Sequence, residues 1–212
     1  MLVRSRMTRD VITASPTMTV AEAIALARKH HIRHLPVVEA GRLIGVASDR
    51  DLRLAIPQQG TVPDHERQAL MESIRVADVM VKEVITVSPD APVEEAATLL
   101  AENRIGCLPV LSDGRLVGIL TETDVLRAFV ELFQANGPSS RIEVRMPDRP
   151  GELARVVRLI GVDFKINITG LVVPPLSEGE ALAIIHLQTL DPRDVIEALE
   201  KLGYEVGWPT LG

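Results

Sequence analysis

The stretch Met7-Thr-Arg-Asp-Val-Ile-Thr-Ala-Ser-Pro16 returns later in the chain as Met80-Val-Lys-Glu-Val-Ile-Thr-Val-Ser-Pro89, at an offset of 73 residues. From Met7 to Ala55 the two copies share 20 identities in 49 positions without a gap. An internal repeat often indicates a unit that cannot bury its apolar face alone. The sequence therefore predicts a pseudo-symmetric pair of units with a shared interface and two related clefts.

Each copy begins with the same local signals. A short strand is predicted at Val11–Thr13, where Pro16 follows closely. A helix comes next, because Thr19 with Glu22 three residues later forms a capping-box pattern. Apolar residues then recur at helical spacing through the following ten positions or so.

The second half of each copy contains two strands and a helix. In the first copy, the apolar runs Leu35–Val38 and Leu43–Ala47 flank a turn and predict paired strands. A second helix is predicted from about Ser48, which makes the order of each unit β-α-β-β-α. Beyond the first copy, a linker helix is predicted from Asp64 to about Ser73.

This arrangement resembles the CBS domain, named for cystathionine β-synthase, which occurs in tandem pairs called Bateman modules. The resemblance is carried by the Leu-Pro-Val segments at 35–37 and 108–110 and by the Gly-x-x-Ser/Thr-x-x-Asp segments at 45–51 and 118–124. It covers residues 1 to about 134. It implies an α/β fold with one CBS domain at 1–57, a linker helix at 58–75 and a second CBS domain at 76–134.

The repeated Gly-x-x-Ser/Thr-x-x-Asp segments have two interpretations. The hydroxyl and the carboxylate can cap the start of a helix. Alternatively they bind a nucleotide, because a helix N-terminus favours an anion. The glycine at the head of each segment would then let the ligand approach the backbone closely. The repetition favours a pair of ligand sites, with capping operating as well.

The family resemblance assigns roles at the matching positions. In members that bind adenosine ligands, the aspartate takes the ribose hydroxyls and the serine or threonine contacts the phosphate. Here this implies ribose binding by Asp51 and Asp124, with Ser48 and Thr121 on the phosphate side. The strand ends at Thr13 and Thr86 would frame the base, and the expected nucleotide-binding set is Thr13, Arg33, His34, Ser48, Arg50, Asp51, Thr86, Thr121 and Asp124.

The two copies differ in charge. Arg33 and His34 of the first copy correspond to Gly106-Cys107 in the second, and Arg50 corresponds to Thr123. Guanidinium and imidazolium groups suit phosphate oxygens. We therefore expect two unequal sites, the first with positive charge that the second lacks.

Composition disfavours several classes of protein. The formal net charge of −6 and the pI near 5.4 disfavour nucleic acid as the main partner, because phosphate binding needs a basic face. No apolar run approaches the ~18 residues of a membrane span, and the first ten residues lack the apolar core of a signal peptide. A single cysteine indicates a reducing compartment. We expect a cytoplasmic protein that binds neither nucleic acid nor membrane.

Catalytic and metal sites are not predicted. His30 and His34 would share a helical face only if the helix continued past Arg33, and no carboxylates stand at ligand spacing. Cys107 precedes a predicted buried strand and is expected to be a small core residue. No recognisable Ser-His-Asp or paired-carboxylate motif occurs. The expected ligand is thus a regulatory adenine nucleotide, with no catalytic cofactor.

A second module is predicted after a linker at 135–140. Strands are expected at 141–146, 164–173, 181–190 and 204–206, the middle two separated by a loop at 174–180, with helices after the first and third strands. This β-α-β-β-α-β order is a ferredoxin-like plan.

The region 141–212 resembles the ACT domain, a module that commonly senses amino acids at paired interfaces. The resemblance is carried by the turn Asp148-x-Pro-Gly151-x-Leu153 and by Asn167. It implies an amino-acid ligand held at Asp148, Gly151, Leu153 and Asn167. In the alternative interpretation, the Pro-Gly pair only makes the turn and Asn167 caps a strand end.

As a whole, the order CBS–CBS–ACT resembles the family of acetoin-utilisation proteins called AcuB. This resemblance implies a regulator, linked to acetoin and acetate utilisation, that senses AMP, ADP or ATP, forms a homodimer and acts on a protein target. Two alternatives remain open. One is a dimerisation scaffold whose motifs are purely structural, and the other is a sensor of S-adenosylmethionine or another adenosyl ligand. An enzyme would need a base or metal cluster that the sequence does not show.

Overall fold

The computed structural model describes residues 1–58, 60–133, 139–174 and 179–208. They form two compact units, Met1–Ala128 and Phe129–Gly212. Most of the predicted linker at 135–140, and the middle of the predicted loop at 174–180, lie outside the described residues.

The first unit is built from two hairpins and the helices around them. Its helices are α1 (Val20–Lys29), α2 (Asp49–Leu54), α3 (Asp64–Ser73), α4 (Val76–Val79), α5 (Val93–Asn103) and α6 (Glu122–Phe133, which continues into the second unit). Its strands are β1 (His34–Glu39), β2 (Arg42–Ser48), β3 (Cys107–Ser112) and β4 (Arg115–Thr121). The pairs β1–β2 and β3–β4 are antiparallel, with a bulge at the same place in each. The predicted capping box of Thr19 and Glu22 at the start of α1 is confirmed.

The leading strand predicted at Val11–Thr13 is wrong. Only the next residue, Ala14, makes a parallel bridge, in which it donates its N–H to the carbonyl of Pro36 and accepts from the N–H of Val38, both at 2.9 Å. To lengthen this parallel ladder, the residues at positions 16 and 36 would have to donate their backbone N–H groups. Both positions are proline. Proline has no N–H, so the ladder cannot lengthen in either direction.

The second copy repeats this local arrangement. Val87 donates to the carbonyl of Pro109 at 3.1 Å and accepts from Leu111 at 3.0 Å. Pro89 and Pro109 occupy the positions that would extend the ladder. The repeated prolines therefore limit each leading segment to a single bridge against its own hairpin.

The start of each copy also pairs with the hairpin of the other copy. Thr8 and Ile119 exchange two backbone hydrogen bonds of 2.9 Å. Val81 and Val46 exchange two bonds of 2.9 and 3.0 Å in the equivalent place. The segments around Thr8 and Val81 thus cross over, and each hairpin gains an antiparallel neighbour from the other copy.

Each of the two hydrophobic cores of the first unit also contains residues from both copies. One core gathers Leu35 and Leu52 of the first copy but also includes Val76. The other gathers Leu108 and Leu120 of the second copy and includes Val3. Because each core contains residues from both copies, burial of apolar surface stabilises the pair rather than each copy alone.

The second unit contains one sheet with helices in the predicted order. Its elements are β5 (Ser140–Pro147), α7 (Glu152–Arg158), a π-helical turn (Leu159–Asp163), β6 (Ile168–Val172), β7 (Glu180–Leu187), α8 (Arg193–Lys201) and β8 (Glu205–Gly207). The sheet order is β6-β7-β5-β8, and every neighbouring pair is antiparallel. The predicted β-α-β-β-α-β order is present.

Two predicted strand boundaries in this unit are wrong. The strand expected from Phe164 begins at Ile168, because the preceding helix ends later than its apolar pattern indicates. Lys165 has a φ of +54°, and Ile166 donates to the carbonyl of Ile160 at 3.1 Å, as at a left-handed helix C-terminus. The strand expected to reach residue 190 ends at Leu187.

Candidate ligand-binding cleft

A cleft of about 900 Å³ lies within the first unit, lined by both copies of the repeat. A volume of this size suits a nucleotide-sized ligand. Seven of the nine nucleotide-binding residues predicted from the sequence line it, namely Arg33, His34, Ser48, Arg50, Asp51, Thr121 and Asp124. Thr13 and Thr86 are not among the lining residues, whereas Ile12 and Ile85, one position earlier, are.

Ser48 and Asp51 form a complete cap at the start of α2. Ser48 ends β2 in an extended conformation, and its Oγ accepts from the N–H of Asp51 at 3.2 Å. Oδ2 of Asp51 accepts from the backbone N–H of Ser48 at 2.9 Å and from its hydroxyl at 2.6 Å. The capping interpretation of this motif is confirmed.

Thr121 and Asp124 repeat the same cap at the start of α6. The corresponding distances are 3.3, 2.9 and 2.7 Å, and again the carboxylate uses Oδ2. Within the described ranges, Oδ1 of Asp51 and of Asp124 accepts no hydrogen bond. Each cap therefore holds a carboxylate in a defined position and leaves one oxygen able to accept from a ligand.

The glycines three residues before these caps do not open the backbone to a ligand, contrary to the expectation from sequence. A Cβ on Gly45 would lie 2.5 Å from Sδ of Met80, and one on Gly118 would lie 2.5 Å from Sδ of Met7. The crossing segments fill the space above both glycines. Close packing between the two copies, and not ligand access, therefore explains glycine at these positions.

His34 was expected to supply positive charge, but its surroundings disfavour the charged ring. Its ring lies so close to Gly106 that a Cβ there would come within 2.7 Å of Nε2. Burial lowers the pKa of His34 from its usual value of 6.5, and nearby Arg33 lowers it further, while Glu122 and Asp51 oppose the shift. These surroundings favour the neutral form of the His34 ring.

The second copy also contributes positive charge that the sequence comparison missed. Arg104 and Arg127 line the cleft. Arg127 follows Asp124 by three residues on one helical face, a spacing that could have revealed it. Arg104 lies at the left-handed end of α5, with a φ of +53°, and corresponds to His31, so no local pattern indicates its position.

Guanidinium groups are thus distributed around the whole cleft, and the expectation that positive charge belongs to the first copy alone is wrong. The cleft has four arginines, Arg33, Arg50, Arg104 and Arg127. They are accompanied by six carboxylates, Asp10, Asp49, Asp51, Glu83, Glu122 and Asp124. Such a mixed lining can hold an anionic group at the arginines and accept hydrogen bonds from hydroxyls at the carboxylates.

Three further observations concern reactive groups, metal ions and membrane spans. Burial raises the pKa of the Cys107 thiol to about 12, so the nucleophilic thiolate is scarce at neutral pH. Among the residues that the structure describes, no cluster of His, Cys, Asp and Glu could hold a metal ion. No helix in that part of the chain is both long and apolar enough to cross a membrane.

In the second unit, the residues predicted to hold an amino acid are accounted for in other ways. Gly151 has a φ of +96° at the start of α7, a conformation that favours glycine without any ligand. Leu153 packs against the core, and Asn167 donates from Nδ2 to Oε1 of Gln188 at 3.1 Å. Asp148 is exposed. Amino-acid binding at this turn stays a prediction.

Sequence relatives share the repeated part of the chain. Inosine-5′-monophosphate dehydrogenase of Korarchaeum cryptofilum is 34% identical over 204 residues, which cover 96% of this chain but only 36% of that enzyme. The CBS domain-containing protein YhcV of Bacillus subtilis is 35% identical over 123 residues, covering 58% of this chain and 81% of the relative.

Solved structures show the same similarity. A candidate acetoin utilization protein (AcuB) from Vibrio cholerae is 34% identical, with a TM-score of 0.53, over 62% of this chain and 92% of that one. The CBS domain pair of MJ0100, in complex with 5′-methylthioadenosine and S-adenosyl-L-methionine, is 29% identical, with a TM-score of 0.52, over 62% and 97% of the two chains. CBSX2 in complex with AMP is 31% identical, with a TM-score of 0.52, over 63% and 98%.

The repeat also matches a family model directly. The model of the CBS domain matches residues 3–58 and again residues 76–131, which together make up more than half of the chain. The chain therefore belongs to the CBS domain family and carries two CBS domains in tandem.

Proposed function

We propose that this protein is a regulatory sensor, not an enzyme, which binds adenine nucleotides in the cleft of its CBS pair. The observation that carries the proposal is the pair of capped carboxylates, Asp51 and Asp124, each with one free oxygen on a cleft of nucleotide size. Ligand binding would change the shape of the pair or its affinity for a protein target.

The two carboxylates suit ribose. A ribose presents hydroxyl donors, and Oδ1 of Asp51 or Asp124 is an acceptor whose direction is already set by the cap. The hydroxyls of Ser48 and Thr121 are engaged with their aspartates at 2.6 and 2.7 Å, so their protons are not available to a phosphate. We therefore assign phosphate binding chiefly to the arginines of the cleft.

The base would lie against aliphatic side chains. No phenylalanine, tyrosine or tryptophan lines the cleft within the described ranges. The aliphatic residues of the lining are Val11, Ile12, Ile32, Val46, Val81, Val84, Ile85, Ile105 and Ile119. An apolar wall of this kind favours a flat, weakly polar base over a sugar or a carboxylic acid.

The similar CBS pairs support an adenosine ligand. One of them was solved with 5′-methylthioadenosine and S-adenosyl-L-methionine and another with AMP. These ligands have adenosine in common, which is the part that the carboxylates and the aliphatic wall would recognise. S-Adenosylmethionine is accordingly a second candidate ligand beside AMP, ADP and ATP.

For the second unit we propose an ACT-type module that binds an amino acid and contributes to a homodimer. The β-α-β-β-α-β sheet and the turn at Gly151 support this assignment. The similarity to the Vibrio cholerae protein supports a role in acetoin utilisation, in the cytoplasm. The alternative function is a dimerisation scaffold in which the caps serve only the helices.

The test separates ligand binding from capping. Asp51→Asn and Asp124→Asn keep one oxygen for the cap but replace the second oxygen with an amide NH2, which donates and cannot accept from ribose. Glu22→Gln is the matched control, because Thr19 and Glu22 form the same cap, with bonds of 2.8–3.1 Å, outside the cleft.

Calorimetric titration with adenosine, AMP, ADP, ATP and S-adenosylmethionine gives the readout. We expect the asparagine variants to lose about 10- to 100-fold in affinity, the effect of a hydrogen bond to a charged group, and the Glu22→Gln variant to bind as the wild type does. At about 100 times its dissociation constant, the best ligand should stabilise the protein by about 2.7 kcal/mol per occupied site. Absence of binding by every ligand at millimolar concentration would favour the scaffold.

A further inference from the structure

A second cavity, of about 500 Å³, adjoins the nucleotide cleft beside the first copy of the repeat. We call it the side groove, and its lining consists of Ala27, Arg28, His31, Ile32, Arg33, Asp49 and Arg53. Four of these residues, His31, Ile32, Arg33 and Asp49, also line the cleft. The side groove and the cleft are therefore immediate neighbours that meet at these four residues.

The side groove is strongly basic. It contains the guanidinium groups of Arg28, Arg33 and Arg53 and a single carboxylate, Asp49, which pairs with Arg53 at 2.7 Å. The side chains of Arg28 and Arg33 form no hydrogen bond or ion pair with any part of the chain that the structure describes. The guanidinium groups of Arg28 and Arg33 are thus available to bind a ligand. All three arginines of the groove are exposed to solvent.

The second copy lacks the three guanidinium groups of this groove, although Arg104 stands where the first copy has His31. At the offset of the repeat, Arg28, Arg33 and Arg53 correspond to Ala101, Gly106 and Leu126. All three guanidinium groups are therefore replaced by uncharged residues. The pseudo-symmetry of the pair, which is close at the caps, is broken at this point.

We infer that the side groove binds the terminal phosphates of a nucleoside triphosphate whose adenosine lies in the cleft. This inference rests on the proposed function and narrows it. Guanidinium groups bind phosphate oxygens in a bidentate manner, and a triphosphate carries more charge and reaches further than AMP. The first copy would thus select ATP, and the second copy would accept ligands without a polyphosphate tail.

The test compares ligands that differ only in the tail. The full chain is titrated calorimetrically with ATP, AMP and inorganic tripolyphosphate, as wild type, as Arg28→Gln and as the double variant Arg28→Gln/Arg53→Gln. Arg28→Gln breaks no contact described above, and the exposed ion pair of Arg53 contributes little to stability. Arg42→Gln, an exposed arginine outside both cavities, is the matched control.

We expect the double variant to bind ATP about tenfold more weakly at its tighter site, which corresponds to about 1.4 kcal/mol, and to bind AMP unchanged. Tripolyphosphate should compete with ATP in the wild type and less in the double variant. Unchanged ATP affinity, or an equal loss for ATP and AMP, would overturn the inference while leaving the proposed function in place. Failure of the wild type to bind any adenine nucleotide would remove both.

Discussion

Replacement of Gly45 by alanine tests the exchange of segments between the two copies. The new Cβ would lie 2.5 Å from Sδ of Met80 and 3.0 Å from the backbone carbonyl of Val81. The methionine can move, but Val81 is held to Val46 by two backbone hydrogen bonds of 2.9 and 3.0 Å. We expect Gly45→Ala to destabilise the protein by about 1–3 kcal/mol, the usual cost of overpacking.

The measurement is urea denaturation of the wild type, Gly45→Ala, Met80→Ala, the double variant of these two and Gly161→Ala. Gly161→Ala is the control, because its Cβ would meet nothing within 4 Å, and it should be neutral or slightly stabilising. The double variant Gly45→Ala/Met80→Ala should be less destabilised than the sum of its parts, since removal of the thioether relieves the closest contact. If Gly45→Ala were as stable as the wild type, Met80 would not lie over this glycine and the crossed arrangement would be wrong.

Two further predictions follow from buried titratable groups. Burial lowers the pKa of His34 below its usual 6.5, so the folded state favours the neutral ring. The stability that the neutral ring contributes is present above about pH 6.5 and is lost as the pH falls through the lowered pKa. The melting temperature should therefore drop less between pH 7 and pH 5 in His34→Gln than in the wild type, and an equal drop would contradict this. Cys107, whose pKa burial raises to about 12, should resist iodoacetamide at pH 8 in the native protein and react in urea; fast native labelling would show that the thiol is accessible.

Much of the fold could be predicted because its signals are local. The capping boxes, the hairpins and the helix faces each depend on residues within a few positions of one another, and the repeat shows them twice. The leading strands were overpredicted because Val11–Thr13 has a strand-like composition, whereas the missing N–H groups of Pro16 and Pro36 matter only once the partner strand is known.

The exchange of segments could not be predicted from the repeat itself. Met7 and Met80 are identical, as are Gly45 and Gly118, so the sequence is equally compatible with each methionine packing on its own copy or on the other. Only the three-dimensional structure distinguishes the two possibilities. For the same reason, the sequence could not show that Gly45 and Gly118 are packed against these methionines.

The candidate site was predictable to a similar extent. Ser48 and Asp51 are three residues apart, a spacing that predicts the start of a helix. Arg104 lines the cleft because of the left-handed conformation at the end of α5, which no local pattern predicts. The charge of His34 depends on its burial against Gly106, which no local pattern records.

The crossed segments also determine when the protein can complete its fold during synthesis. The first hairpin is translated early, but Val81, which pairs with it, leaves the ribosome only after the linker helix. Thr8 likewise cannot pair until Ile119 has been translated. Long-range pairings of this kind slow folding, because a long loop must close before the contact forms. We expect the nascent first copy to expose apolar surface until the second is nearly complete, which would make it a substrate for chaperones and a poor candidate for expression as a single domain.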